Sequence, residues 1–227
     1  MIEVDLAQTP VRALNRRLHR LAPQSSERHW RVLNPNGAHA IAVGITLPVL
    51  VEIEGHVGYY CAGMNAAATV VVAGHAGTGV AENIMSGLVR VRGNAAQSAA
   101  ASGRGGLVAV EGDAGARCGI SMKGVAVVVG GSIGNLGAFM GQAGTLVVCG
   151  DAGHDLGASL YEAEIFVAGS VKSLGADCLE EEMMPGDAER VAGLLDRAGI
   201  AGPDGGFRRY GSARRLYNFH VDRSSEY

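Results

Sequence analysis

The fold of this 227-residue chain is decided by residues 107–153, which read LVAVEGDAGARCGISMKGVAVVVGGSIGNLGAFMGQAGTLVVCGDAG. Three valine-rich runs in this stretch each end shortly before a glycine, and these glycines are nineteen residues apart. The same spacing continues without a slip on both sides. The full series is Gly55, Gly74, Gly93, Gly112, Gly131, Gly150 and Gly169. The pattern predicts one short module that is repeated seven times, with these glycines as structural positions.

Each module carries a short strand of alternating character. Apolar residues stand four and two positions before every glycine, as Val108 and Val110 do before Gly112, whereas the residue between them varies from Glu52 to Arg90. This alternation predicts a strand with one inward face. Seven positions after each glycine the side chain is always small, as a crowded corner of the chain requires. These small residues are Ala62, Ala81, Ala100, Gly119, Ala138, Gly157 and Ala176.

The repeat predicts an all-β protein, a right-handed parallel β-helix of about seven 19-residue coils. Nineteen residues are too few for a helix pair or a propeller blade, and a single short strand cannot bury its own face, so the coils must stack on one another. Neighbouring coils are then about 4.8 Å apart. We expect a capping segment with a helix in residues 1–35, the β-helix in 36–180, and a second helix followed by a basic, aromatic arm in 181–227.

Charge and hydropathy limit the classes of function. The net charge of −3 is segregated, with +3 in residues 1–40, −3 in 41–176, −6 in 177–206 and +3 in 207–227. No basic stripe with stacking aromatics follows the repeat, which disfavours a nucleic-acid binder and favours protein partners. The sequence has no run of eighteen apolar residues and no signal-peptide pattern at Met1, so we expect a cytoplasmic protein that does not bind a membrane.

The N-terminal flank contains a predicted helix. Thr9 can cap it, with Pro10 at its first position. Apolar residues follow at helical spacing, and we expect them to cover the end of the β-helix, with docking to a partner as the alternative. They are Val11, Leu14, Leu18 and Leu21.

The C-terminal flank contains a second predicted helix and the arm. Asp187 can cap this helix, which we expect to stop at Gly199, while the acidic run Glu180–Glu182 suggests a solvated helix start. The arm is either a solvated basic tail or a segment that docks onto a partner or onto the chain's own β-helix. We favour docking, because arginine and aromatic residues are enriched at interfaces. The predicted partner-docking residues are Phe207, Arg208, Arg209, Tyr210, Arg214, Arg215, Tyr217 and Phe219.

Candidate catalytic and metal-binding residues are few. His56 and His75 share the slot after the glycine in adjacent coils and could begin a metal site, but the same column continues with turn-forming polar residues, so we favour a structural role. Those residues are Asn94, Asp113, Ser132, Asp151 and Ser170. The cysteines Cys61, Cys118, Cys149 and Cys178 form no C-x-x-C pair, and we interpret them as small buried apolar residues. No catalytic, cofactor-binding or metal site is therefore predicted in this chain.

A family resemblance adds to this interpretation. The stretches 112–115, 131–134 and 150–153 begin with glycine, end with glycine and are separated by valine strands, and this pattern resembles the GXGXG β-helix domain of glutamate synthase large subunits over roughly residues 36–180. Members of that family combine an amidotransferase domain, an FMN-binding barrel and the β-helix, which is regarded as structural. Here Met1-Ile2 offers no N-terminal cysteine nucleophile, and the barrel with its cysteine cluster is absent. The resemblance thus implies that the chemistry resides in separate chains.

A β-helix chain of this length looks like the middle subunit of split glutamate-synthase-like complexes, whose best-known activity is N-methylglutamate synthase. That resemblance implies a hetero-oligomer with an amidotransferase-like subunit and an FMN-binding subunit, which would also be the place for any iron–sulfur cluster. Methylamine and glutamate would give N-methylglutamate and ammonia. The alternative is the β-helix subunit of a formyltransferase/hydrolase or formylmethanofuran dehydrogenase complex in one-carbon transfer. A polysaccharide-binding β-helix is disfavoured, because Tyr59 and Tyr60 are the only paired aromatics on the coils.

Overall fold

The computed structural model describes residues 1–213, which form eleven strands and two helices. All eleven strands belong to one continuous sheet. The sheet order is β1-β2-β3-β4-β5-β6-β7-β8-β9-β11-β10, and β1 to β9 are all parallel. The bounds are β1 Ile2–Asp5, α1 Val11–His19, β2 His29–Leu33, β3 Leu50–Ile53, β4 Thr69–Val72, β5 Leu88–Val91, β6 Leu107–Val110, β7 Lys123–Val129, β8 Ala143–Val148, β9 Glu164–Val167, β10 Cys178–Glu181, α2 Asp187–Ala198 and β11 Arg208–Ser212. The predicted all-β, right-handed parallel β-helix is confirmed. No helix in the described residues is long and apolar enough to cross a membrane.

The nineteen-residue spacing is the register of the sheet. Val70 pairs with Val89 and Val89 pairs with Val108, and all three are fully buried. A second ladder of bridges on another side of the coil joins Ala76 to Ala95 with the same offset. Equivalent side chains therefore stack along the axis, and the inward face predicted from the alternation is correct.

The small residues at the corner are required by the backbone conformation as well as by the limited space. Ala62, Ala81, Ala100 and Ala138 have φ between 52° and 59°, in the left-handed region that large or branched side chains avoid. The residues two positions before and after such an alanine also have positive φ, as Gly79 and Asn83 do around Ala81. As a result, N–H groups point alternately up and down the axis: Ala81 N–H donates to the previous coil at Cys61, and Asn83 N–H donates to the next coil at Ala101.

The outer face of the sheet is more constrained than the sequence indicates. We expected the residue between the two inward positions to vary freely, but in the C-terminal half of the sheet it is buried under α2. The residues concerned are Ala109, Val128, Val147 and Phe166, which pack against Val191, Leu194, Leu195 and Ala198 of the helix. Arg90, one coil before this apolar column, donates to the carbonyl oxygen of Ala198 at the end of the helix.

The segment 1–35, predicted as a cap, supplies two strands as well as a helix. Trp30 pairs with Val51, an offset of twenty-one residues, so this leading coil is two residues longer than the others. α1 buries Leu14 and Leu18 against the core, and the Asn15 side chain bonds Ala40 O at 2.8 Å and Ala42 N at 2.9 Å. The helix therefore packs on the first coil, and capping of the β-helix end by this segment stays a prediction.

Both predicted helix starts require correction. Pro10, not Thr9, occupies the N-cap position of α1, and no side chain caps this helix. Asp187 is the first residue of α2, whereas Gly186, with φ 89°, is the N-cap. Gly199 ends α2 in the left-handed conformation, as predicted. Glu180 and Glu181 belong to β10 and not to a helix start.

Candidate functional site

The polar column after the glycines is a ladder of hydrogen bonds between coils. Each side chain accepts the backbone N–H of its equivalent residue in the next coil, nineteen residues on. The pairs are His56 Nδ1 with His75 N, His75 Nδ1 with Asn94 N, Asn94 Oδ1 with Asp113 N, Asp113 Oδ1 with Ser132 N, Ser132 Oγ with Asp151 N, and Asp151 Oδ1 with Ser170 N, at 2.7–3.0 Å. The column thus has the turn-stabilising role that we favoured.

The two histidines in the ladder are stacked with ring centroids 4.9 Å apart and an interplanar angle of 8°. Because backbone N–H groups donate to both Nδ1 atoms, the proton of each neutral ring is on Nε2. Two parallel rings with their Nδ1 atoms engaged do not converge on one ion. Across residues 1–213, no group of three His, Cys, Asp or Glu side chains is arranged to hold a metal.

The structural glycines stand where the backbones of successive coils touch. Gly131 N donates to Gly112 O at 3.0 Å, and Gly150 N donates to Gly131 O at 2.9 Å. A Cβ at Gly150 would lie 2.7 Å from the carbonyl carbon of Gly131, and one at Gly74 would lie 2.7 Å from that of Gly55. No side chain fits between such coils, which explains the glycines from Gly74 to Gly169. Gly55 instead has a φ of 137°, which favours glycine, and an added Cβ there would lie 3.2 Å from the Pro35 ring.

The described part of the C-terminal arm docks onto the chain's own sheet. β11 lies between β9 and β10 and is antiparallel to both. Phe207 packs against the apolar cluster under α2, and Tyr210 is 1% exposed in the core. Docking onto the chain's own β-helix is one of the predicted alternatives, and these residues do dock there.

Arg209 is the centre of the contacts that hold the arm. Its Nε donates to Glu181 at 3.0 Å, one terminal nitrogen donates to Asp187 at 3.0 Å, and the other lies 3.2 Å from Glu164. Arg190 adds further bonds to Glu164 and Asp187. Four elements are therefore joined at one guanidinium group, and the Arg209 side chain is only 15% exposed.

Asp187 is the most buried acid of this network, with a side chain that is 5% exposed. Burial raises the pKa of Asp187, but the hydrogen bonds from Met184 N–H and Arg209, together with the charges of Arg209 and Arg190, bring it below its ordinary value. The sequence suggested a helix cap at this position. Nothing in the sequence indicated that Asp187 is bonded to Arg209, which is twenty-two residues further along the chain.

Some of the residues predicted to dock onto a partner are used within this chain instead. Arg209 and Tyr210 are committed to intramolecular contacts, and Phe207 is half-buried against this chain. Arg208 keeps an exposed side chain that reaches Gly169 O at 2.5 Å. Arg214, Arg215, Tyr217 and Phe219 lie outside the described residues, so the docking role of these four stays a prediction.

The four cysteines are free thiols with restricted access. Burial raises the pKa of Cys61 and of Cys118 to about 12. Burial, and then the nearby Glu181 carboxylate, raises the pKa of Cys178 to about 12. Thiols held in this state are poor nucleophiles and metal ligands. Cys149 is less buried, and burial raises its pKa as well.

Comparison with known proteins gives one full-length relationship. No protein-family model matches the chain. It is 56% identical over 226 residues to Protein GlxC from Rhizobium meliloti (strain 1021), and the alignment covers 99% of both chains.

The chain belongs to the GlxC family. The alignment spans the leading segment, the nineteen-residue repeat and the C-terminal segment of this chain. Within the described residues, the ladder and the glycine column both use their residues to join one coil to the next.

Proposed function

We propose that this protein is a non-catalytic scaffold subunit of a heteromeric glutamate-synthase-like enzyme. The observation that carries the proposal is the end-to-end match to Protein GlxC of a chain that consists of the β-helix and its flanks. The β-helix is the part of glutamate synthase that the sequence resembles. The match to the GlxC relative covers this β-helix together with its flanks, over 99% of the relative's own length.

The use of the polar side chains supports a scaffold role. The coil residues with catalytic potential, among them His56, His75, Asp113 and Asp151, accept backbone N–H groups of the next coil. A residue that holds its neighbouring coil in place is poorly suited to move during a reaction. We therefore place catalysis in other subunits.

The partners that we propose are an amidotransferase-like subunit and an FMN-binding subunit, assembled on this chain in the cytoplasm. N-methylglutamate synthase is the proposed activity of the complex, in which glutamate and methylamine yield N-methylglutamate and ammonia. FMN would be held by the partner, together with an iron–sulfur cluster if the complex has one, and this chain would hold no cofactor.

A native pull-down of the tagged subunit, followed by mass spectrometry and a flavin absorbance spectrum, tests the proposal. We expect one amidotransferase-like chain and one yellow, FMN-containing chain. A metal-dependent amidohydrolase-like chain with a formyltransferase would instead assign the protein to one-carbon transfer.

The activity is tested separately with the purified complex. We expect methylamine-dependent formation of N-methylglutamate by the complex and no turnover by the isolated scaffold. Turnover by the isolated scaffold would refute its non-catalytic role.

A further inference from the structure

One face of α1 takes no part in the fold. The helix is attached through Leu14, Leu18 and Asn15, and through His19 Nε2, which lies 2.7 Å from Val43 O. The opposite face carries an exposed stripe at helical spacing. It is formed by Arg12, Arg16 and Arg20.

This arginine stripe is unfavourable for the isolated helix. Like charges four residues apart destabilise a helix, and no acidic residue stands in its first turn. Among residues 1–213, none of the ion pairs involves Arg12, Arg16 or Arg20. Packing of the cap explains the apolar face of α1 but not the stripe.

A groove of about 480 Å³ runs along the exposed side of α1, and Ala40 is the residue of the first coil that lines it. The three arginines form one wall, and Val11 and Ala40 supply apolar surface. The groove thus combines positive charge with a surface that can be buried.

An exposed aromatic corner lies on the coil that follows Ala40. Ala40 N–H donates to Tyr59 O at 2.7 Å, which places the next coil beside it. Tyr59 and Tyr60 are 52% and 50% exposed, and Met64 on the same coil is 52% exposed. The Tyr59 ring is stacked on His39 at 4.6 Å, so it is already ordered before any partner binds.

We infer that Arg12, Arg16, Arg20, Tyr59, Tyr60 and Met64 form a docking surface for a carboxylate-rich face of a partner protein subunit. Arginine, tyrosine and methionine are the types enriched at the centre of protein interfaces, and guanidinium groups recognise carboxylates with paired hydrogen bonds. Ordered aromatic rings bind with little further loss of side-chain freedom. The inference rests on the proposed function in that the partner belongs to the same complex.

A protein partner fits this surface better than a nucleic acid does. The positive charge of this surface is confined to one nine-residue helix and its C-cap, and no Phe, Tyr or Trp stands within that helix. A nucleic-acid site needs a longer track of positive charge along the backbone of its ligand. Acidic side chains next to apolar ones on a folded partner match both the stripe and the corner.

The test compares two triple charge reversals in the full-length chain. One replaces Arg12, Arg16 and Arg20 with glutamate. The matched control makes the same change at three exposed arginines outside this surface, Arg92, Arg104 and Arg197. The companion chains that co-purify with the wild type at 50 mM NaCl are identified by mass spectrometry and purified. Their affinity for each variant is then measured by biolayer interferometry at 50 and 300 mM NaCl.

We expect the reversal on α1 to weaken binding at least about tenfold at 50 mM NaCl and to abolish the salt dependence, while the control binds like the wild type. Circular dichroism melting verifies folding, and the double variant Tyr59→Ala/Tyr60→Ala, which keeps all charges, should also bind more weakly.

Equal binding by both triple variants would overturn the inference and leave the proposed function standing. Release of companions that are neither FMN-binding nor amidotransferase-like would uphold the docking surface and refute the proposed function. Absence of any companion, or binding of poly(U) that the α1 reversal abolishes, would overturn the docking surface.

Discussion

Alanine at Gly131 is predicted to destabilise the β-helix strongly, whereas alanine at Gly193 is predicted to stabilise it. A Cβ at Gly131 would overlap Asp113 Oδ1 and would lie 3.0 Å from both the carbonyl carbon and the oxygen of Gly112. The coils must separate or the Asp113 side chain must leave its place. In contrast, Gly193 is an exposed position in α2 where an added Cβ meets nothing within 4 Å.

The magnitude for Gly131→Ala follows from the contacts that are lost. Overpacking costs about 1–3 kcal/mol. The bonds from Gly131 N to Gly112 O and from Ser132 N to Asp113 Oδ1 contribute about 1 kcal/mol each. The alanine also restricts the unfolded chain, which offsets about 0.5–1 kcal/mol. The net loss is about 2–4 kcal/mol, whereas Gly193→Ala should gain about 0.5–1 kcal/mol through helix propensity.

Thermal and urea unfolding, followed by circular dichroism, measure both variants against the wild type. At about 2–4 °C per kcal/mol, we expect Gly131→Ala to melt about 4–16 °C lower and Gly193→Ala to melt a few degrees higher. The pair separates the loss of a close contact from any general effect of replacing glycine. A melting temperature of Gly131→Ala within about 2 °C of the wild type would refute the argument that backbone contact between coils demands glycine.

The remaining predictions concern the core, the arm, the buried acid and the thiols. Val110→Asp places an unpaired charge at a fully buried position and should give an insoluble protein or one that melts far lower, and a normal melting curve would contradict the assigned inward face. Truncation after Gly206 removes β11 from the sheet and should unfold the C-terminal coils in hydrogen exchange, whereas truncation after Ala213 should leave their exchange unchanged. Asp187→Asn should cost about 2–4 kcal/mol in urea unfolding at pH 7, since it leaves Arg209 partly uncompensated. Because the pKa of Asp187 is lower in the folded state than its unfolded value of 3.8, its stabilisation is present above pH 3.8 and declines as the pH falls through the folded value, so the difference should be smaller at pH 3 than at pH 7. A thiol reagent at pH 8 should modify Cys149 first in the native protein and all four cysteines in urea, and fast modification of a second thiol in the native state would contradict the burial described.

The repeat could be predicted from sequence because every coil obeys the same local constraints. A glycine at each coil contact and a small residue at each left-handed corner are requirements of backbone geometry, so they recur in every module. The alternation around Val108 and Val110 identified the inward face for the same reason. One short period thus contained most of the information on the fold.

The features that the sequence did not reveal depend on contacts between distant segments. The outward column with Val128 and Phe166 is apolar because α2 covers it, and nothing in the repeat indicates where α2 will pack. The role of Arg209 follows from three carboxylates on three different elements. Its arginine and aromatic neighbours suggested an interface, and they do form one, but within the same chain. Sequence composition could not distinguish an interface between chains from one inside a chain.

The way the sheet closes at its C-terminal end fixes how long this molecule is. A further coil would have to add a parallel strand next to β9, but β11 occupies that place and runs in the opposite direction. At the other end α1 lies over the first coil. The two ends are therefore separated by a whole number of coil steps of about 4.8 Å each. Any subunits that bind near opposite ends are held at a spacing that evolution could change only in such steps, by gaining or losing nineteen residues at a time.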